Sequence, residues 1–448
     1  MNPPSLPPTG TSFGAASPAN PANLENPANP IHRDVVGGLT TFFTMAYIVV
    51  VNPAILSDGT GIPFSGALTA TVLVAVSMTL VMGAYARLPF GVAPGMGLNA
   101  FFAYTLIVAQ RIPWQVALGI IFWAGVLFLV ASLTRLRELA ALAIPDSLRV
   151  ASAAGIGLLL AFIGLQNSGF VGPNPATLVG VGPLDYRAIL CLAGLFVSVR
   201  LTRSGNPLAY LAGIFVVTAA AWAGGYVQTP RQWFSAPDFS SAFLQLDVVG
   251  ALRWSLAPAI VTVLMTDLFD SLSTFIGVAH AAGLIDERGQ PLRLREGLIV
   301  DAWATLIAGL VGSSSGTAYV ESIAGIRMGG RSGRTAIVTA LCFLPCLFIA
   351  PLAAAVPNYA TAPVLLLVGV SMFGTVIRIP FDRVEVAVPA FATLVLIPLT
   401  FSITQGILWG FVLHALLHQL VGRGREVGLG AWALAVVSAA LLALEHAR

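Results

Sequence analysis

From Val35 to the C-terminus, apolar stretches of about 17–25 residues follow one another with short polar joints between them. About twenty such residues wound as a helix cross the hydrocarbon core of a bilayer. Inside that core every backbone N–H and C=O must find its partner within the protein, and for long uniformly apolar runs the α-helix is the solution. The chain therefore reads as an all-α polytopic membrane protein. Its composition agrees: 57% of residues are hydrophobic, 9% are charged and the mean hydropathy is +0.88, against about 25% charged residues in a soluble domain.

Spans are expected at 35–55, 66–86, 90–110, 114–134, 146–168, 186–202 and 206–226. After a polar stretch at 227–253 they resume at 254–281, 294–313, 314–330, 334–356, 361–377 and 428–446. Pro389 and Pro398 leave open whether 384–421 crosses once or twice, so the total is fourteen or fifteen. The first thirty residues, "MNPPSLPPTGTSFGAASPANPANLENPANP", are rich in Pro, Asn and Ala and are expected to be a disordered tail (1–32). They hold neither the charged n-region nor the apolar h-region of a cleaved signal peptide.

All fixed positive charge is arginine, because the chain has no lysine. With the N-terminus in the cytoplasm, only Arg111, Arg187, Arg231 and Arg253 of the nineteen arginines up to Arg383 face outward. The positive-inside bias thus favours a multi-pass protein with a cytoplasmic N-terminus. The arginine-only, alanine-rich composition hints at a GC-rich bacterial genome, and so at an inner membrane.

Two spans are interrupted by small residues, "FGVAPGMGLNAFFAYTL" (90–106) and "GSSSGTAYVESIAGI" (312–326). Asn99 and Glu321 sit 222 residues apart, and the same offset carries Met45 onto Asp267 and span 206–226 onto 428–448. An odd number of spans per half makes such repeats inverted. Paired broken helices in corresponding positions point to a transporter's midplane site.

The stretch "TDLFDSLSTFIGVA" (266–279) places two aspartates, Asp267 and Asp270, inside an apolar span. Each would cost about 2.5–3.5 kcal/mol at a bilayer centre. At 100° per residue they share a stripe with Ser271 and Thr274, so the stripe must face a cavity or polar partners and not lipid. A buried structural network would satisfy the same pattern. Two carboxylates three residues apart repel when both are ionised, however, and a pair that must shed one charge behaves as a proton carrier. Glu321 is a third intramembrane acid, at the expected start of a half-helix whose free N–H groups face the same region. Asn99 both donates and accepts; it suits a ligand that presents both kinds of group, or caps its own helix.

Aromatics gather nearby in sequence: Phe42, Phe43, Tyr47, Phe101, Phe102, Tyr104, Phe269 and Tyr319. Most pack; Phe101, Phe269 and Tyr319 are candidates to clamp a flat ring. Together these residues suggest a planar heterocycle held by carboxylates that accept N–H bonds. No cation sits in the middle of a span, which argues against an anionic substrate. Asp301 stands a few residues into its span, as a cap or an ion-pair partner. His280, His414 and His418 lie towards helix ends and read as interfacial. "GSSSG" (312–316) matches G-x-S-x-G only formally, since the nucleophile elbow needs an α/β-hydrolase sheet. Cys191, Cys342 and Cys346 read as packing residues, so neither a metal nor another cofactor is expected.

Five ordered motifs, "TTFFTMAYIVVVNPAIL" (40–56), "APGMGLNAFFAYT" (93–105), "TDLFDSLSTFIGVA" (266–279), "YVESIAGIRMGGRSGRTAIVTALCF" (319–343) and "IPLTFSITQGILWGF" (397–411), resemble the AzgA-like purine permeases. These are the adenine/guanine/hypoxanthine branch of the nucleobase–cation symporter, or nucleobase:ascorbate transporter, superfamily. The resemblance implies a uracil-permease-like fold of fourteen segments in two inverted repeats of seven, with spans 3 and 10 each a short strand followed by a helix. It implies a core domain at 33–134 and 254–356 and a gate domain at 135–253 and 357–448. The family's substrate asparagine falls on Asn99, its eighth-span acids on Asp267 and Asp270, and its tenth-span glutamate on Glu321. Departures are Thr266 beside the acid pair, Arg327 and Met328 where small residues are usual, and Asp34 in place of a glutamate.

The implied activity is proton-coupled uptake of purine nucleobases by an elevator-like movement, with Glu321, Asp267 and Asn99 on the base. Asp270 carries the coupling proton; exchange of the Asp270 and Glu321 roles stays open. Expected partners are a purine base, protons and the bilayer, with a homodimer an open option and no nucleic acid. A uracil or xanthine permease is the near alternative. An intramembrane aspartyl hydrolase is a remote one, because such chemistry places its acids on separate helices. A channel or anion exchanger on the same fold is disfavoured by the acids.

Overall fold

The computed structural model describes residues 30–134, 145–285 and 291–446. The tail expected at 1–32 lies, through residue 29, outside the described residues, as do parts of two expected inner loops. The chain is almost wholly helical, as the apolar runs require. In chain order the helices are α1 (Pro30–Met45), α2 (Ile48–Ser57), α3 (Phe64–Val81), α4 (Met96–Ala100), α5 (Trp114–Leu133), α6 (Asp146–Asn167), α7 (Tyr186–Arg203) and α8 (Ala209–Ala223). The second half continues with α9 (Ala257–Ala282), α10 (Leu294–Val311), α11 (Ser322–Arg327), α12 (Gly333–Phe343), α13 (Ala350–Ala354), α14 (Asn358–Phe373), α15 (Val384–Thr400), α16 (Ile403–Leu420) and α17 (Leu429–His446). Among the described residues, six helical segments, Ile31–Ser57, Phe64–Ala86, Trp114–Leu133, Asp146–Asn167, Trp254–Ala279 and Asn358–Arg378, are long and apolar enough to cross a membrane.

Several expected spans are less regular than their hydropathy suggests. The first breaks at Ala46–Tyr47, between α1 and α2, and carries Pro53 inside α2. The segment 334–356 is α12, a 3₁₀ turn over Leu344–Phe348, and α13. Pro345 and Pro351 each remove a backbone donor there, so one continuous helix is not available. The region 384–421 is two helices; Phe401, at φ +50°, turns the chain from α15 into α16.

At both small-residue interruptions the chain leaves the helix altogether. Strand β1 (Val92–Pro94) pairs antiparallel with a strand from the other half, β4 (Gly316–Ala318), with Ala93 opposite Thr317. A separate hairpin, β2 (Val171–Asn174) and β3 (Leu178–Val181), joins α6 to α7. All six residues of β1 and β4 are buried. A ribbon of two strands leaves outer edges unpaired, which is costly away from water. Side chains close part of the β1 edge: the Thr79 hydroxyl lies 2.8 Å from both the N–H and the C=O of Val92, and Gly91 N–H donates to Ser322 Oγ at 3.0 Å. Gly312, at φ +98°, ends α10 in the left-handed region and admits the turn into "SSSG". At Gly316 a Cβ would stand 2.8 Å from that of Ala304, so only glycine lets β4 lie against α10.

The helices form two groups. In one, α1 packs on α11 and α12, α3 on α2, α10 and α12, and α5 on α9 and α10, all around the strand pair. In the other, α6 packs on α14, α15 and α16, α14 on α7 and α8, and α16 on α17. The groups meet along a sparser boundary where α4 and α9 approach α6, and α1 approaches α8.

Candidate functional site

The chain ends of β1 and β4 open onto a cavity of about 110 Å³ between the two groups. Its first wall holds Tyr47, from the break between α1 and α2, Asp270 and Thr274 of α9, and Thr317 to Glu321 on and after β4. Met96 and Gly97, at the start of α4, add to it. The facing wall comes from the second group: Tyr210 in the first turn of α8, and Val368, Ser371 and Met372 late in α14.

Each acid in this wall has a local reason for its place. Glu321 occupies the N-cap position of α11, where β4 turns into helix, and Tyr47 Oη donates to its Oε1 at 2.8 Å. Tyr319 Oη donates to the Pro94 carbonyl at 2.5 Å, which ties β4's exit to β1. Asp270 lies three residues after Asp267 on α9, about 60° away around the helix. That rotation separates their surroundings: Asp270 lines the cavity, whereas Asp267 lies against α10 and accepts from Thr305 Oγ1.

Behind the cavity lies a buried polar layer. Asp301, on α10, accepts from Ser271 Oγ and, at 3.2 Å, from Thr317 Oγ1. Thr305 also meets Ser315 Oγ and the Gly316 carbonyl, each at 3.1 Å. A second branch reaches the first half of the chain: Asn99 Nδ2 donates to Asn52 Oδ1 at 3.0 Å, and Asn52 Nδ2 donates to Thr71 Oγ1 at 2.8 Å. One carboxylate oxygen each of Asp267 and Asp301, and Asn99 Oδ1, are buried without a hydrogen-bond partner. Among the described residues the side-chain donors to Asp267 and Asp301 are the hydroxyls of Ser271, Thr305 and Thr317, with no arginine or histidine between them.

Of the residues singled out in the sequence, Asp270, Tyr319 and Glu321 come together on the cavity. Asp267 and Asn99 stand in the layer behind it. Asn99 is inside α4, whose N-cap position is Gly95, so the capping alternative does not hold. Phe101 and Phe269 are buried in the apolar core. Asp301 joins the polar layer, not the helix cap or arginine pair expected for it. His414 and His418, in the last turns of α16, are buried with their rings 4.1 Å apart; the side chain of His280 is outside the described residues. Sequence reasoning passed over Tyr210, Val368, Ser371 and Met372. The available signal was thin: a tyrosine directly after "SGNPLA", and a serine in an otherwise apolar run.

Two helix groups around a central polar cavity define the class, a helical membrane transporter. The chain belongs to the Permease family (Xan_ur_permease), whose model matches residues 32–408. It is 40% identical over 395 residues to adenine permease AdeP of Escherichia coli, covering 88% of each chain. It is 38% identical over 409 residues to guanine/hypoxanthine permease PbuG of Bacillus subtilis, covering 88% of this chain and 92% of that one. Its fold resembles the transmembrane domain of the cyanobacterial bicarbonate transporter BicA, with TM-score 0.63, 20% identity, and coverage of 85% of this chain and 97% of that chain.

Proposed function

We propose that this permease carries purine nucleobases (adenine, guanine and hypoxanthine) into the cell across the cytoplasmic membrane together with protons. The observation that carries the reading is the cavity wall itself: Asp270 and Glu321 face a compartment with tyrosines on both sides and, among the described residues, no cationic lining residue. Ionised carboxylates only accept hydrogen bonds. They select a ligand rich in N–H groups, and adjacent donors such as N1–H and N2–H₂ of guanine engage one carboxylate in fork geometry. The names of the permease relatives support the same class of cargo. An anion would face two carboxylates in this wall without a cationic side chain among the described lining residues, so the likeness to a bicarbonate transporter is read as one of fold alone.

In this reading fourteen segments form two inverted repeats, and β1–α4 and β4–α11 are the strand-plus-helix segments of spans 3 and 10. The group containing the strands is the core (33–134 and 254–356), and the other is the gate (135–253 and 357–448). The N-terminus is cytoplasmic. Tyr210 follows the short connection that begins after Arg203 at the end of α7, and Ser371 lies by the helix end leading to Arg378; both point to a cavity reached from the arginine-rich inner side. Core slides against gate, Glu321 grips the base, and Asp270 is protonated in one access state and ionised in the other. Asp267, through Thr305, braces the start of β4 from behind the cavity, and Asn99 holds α4 to α2 through Asn52.

Equilibrium binding of labelled guanine, hypoxanthine, adenine and uracil to the purified protein tests the grip. Purines are expected to bind and uracil to bind much more weakly, with tight binding lost in Glu321→Gln. Wild-type purine affinity in Glu321→Gln contradicts the assignment.

A further inference from the structure

We propose that Tyr47 is a positioning residue for Glu321, and that its contact with Tyr210 makes this positioning depend on how closely the two helix groups approach. The inference deepens the reading of Glu321 as the carboxylate that grips the base, and rests on it.

Glutamate has three side-chain torsions, and an unpinned carboxylate must be ordered when a ligand arrives, at a cost in side-chain entropy that a preformed hydrogen bond removes. Among the described residues the side-chain hydrogen bond to Glu321 comes from one donor, Tyr47 Oη, at 2.8 Å to Oε1. Among the described residues Oε2 takes no side-chain donor. The phenol is itself fixed: Tyr47 is 1% exposed, in the tight turn between α1 and α2. Its ring is met edge-on by that of Tyr210, with centroids 5.2 Å apart and planes at 85°. Tyr47 and Glu321 belong to the group that carries the strands; Tyr210 belongs to the facing one. Tyr210 also lines the cavity, so the aromatic contact closes the site at the boundary that must slide during transport. When the groups separate, Tyr47 loses its buttress and Glu321 loses part of its preorganisation, and the base is held less tightly.

The test uses the full-length protein. Tyr47→Phe keeps the ring and its packing and removes only the hydroxyl. Guanine affinity is expected to fall about ten- to thirtyfold, the equivalent of ordering a glutamate side chain on binding, while the maximal transport rate changes far less. Tyr210→Ala should reproduce much of the affinity loss, and Tyr210→Phe should recover most of it. The double variant Tyr47→Phe/Tyr210→Ala should be no weaker than Tyr47→Phe, because both act through one hydrogen bond. In infrared difference spectra of the ligand-free protein, the Glu321 carboxylate band, identified by its loss in Glu321→Gln, should shift in Tyr47→Phe. Wild-type affinity in Tyr47→Phe overturns the proposal, with or without a band shift. Wild-type affinity in Tyr210→Ala overturns the dependence on the facing group. If the wild-type protein binds no purine, the functional reading fails on its own, and the infrared band alone decides whether Tyr47 positions Glu321.

Discussion

Asp267 and Asp270 lie one turn apart on α9, yet one contacts hydroxyls and the other faces a cavity. That difference decides what each substitution should do. Asp270→Asn is expected to leave purine binding within a few fold and to abolish accumulation against a gradient, since it removes a titrating group and keeps the shape. Normal accumulation in Asp270→Asn would show that the coupling proton rides elsewhere. Thr305→Val deprives the buried Asp267 of its hydroxyl donor, and a buried acceptor left unsatisfied costs about 1–3 kcal/mol. A drop of several degrees in the midpoint of thermal unfolding is expected; an unchanged midpoint would mean the layer contributes nothing to stability. The acids were legible in the sequence because an intramembrane carboxylate is too costly to be incidental. Their division was not, because 60° of helix rotation cannot be fixed from periodicity alone. Tyr47 stood in the sequence as one aromatic among many, and its role depends on a partner 274 residues away.

At the scale of elements, the small-residue runs at 90–106 and 312–326 showed where helix would fail, but three-residue strands carry no periodicity that could reveal β1 pairing with β4. Gly316 is the most exacting position in that pairing. Gly316→Val forces the strand off α10, where even a Cβ meets Ala304 at 2.8 Å. It should abolish purine binding and lower thermal stability, and full binding would refute the role given to the strand pair. Asp238 shows how the long polar stretch after α8, which had no helical pattern to read, is fastened to α3. Its carboxylate accepts from Ser241 Oγ at 2.6 Å, Ser65 Oγ at 2.7 Å and Ser240 N–H at 3.0 Å. The Ser241 bond first, then those of Ser65 and Ser240, hold this carboxyl well below the usual range. A depressed carboxyl stabilises the fold above its ordinary pKa of about 3.9 and loses that contribution as the pH falls towards the folded value. The stability gap between wild type and Asp238→Ala should therefore be constant near neutrality and narrow below about pH 4. A gap that widens in acid would reverse the sign of the account.

For the molecule as a whole, the helical class followed from hydropathy, and the five motifs led to the permease family. The grouping of helices could not be read from pattern, because every span is apolar on most faces and the segregation is a matter of tertiary packing. The account requires the two groups to move past each other. The most direct test of the central claim is uptake of labelled hypoxanthine, guanine, adenine and uracil into proteoliposomes, with and without an inward proton gradient, for wild type and Glu321→Gln. Purine accumulation driven by the gradient and lost in the variant is expected. No uptake of any base, or wild-type accumulation by Glu321→Gln, would contradict it.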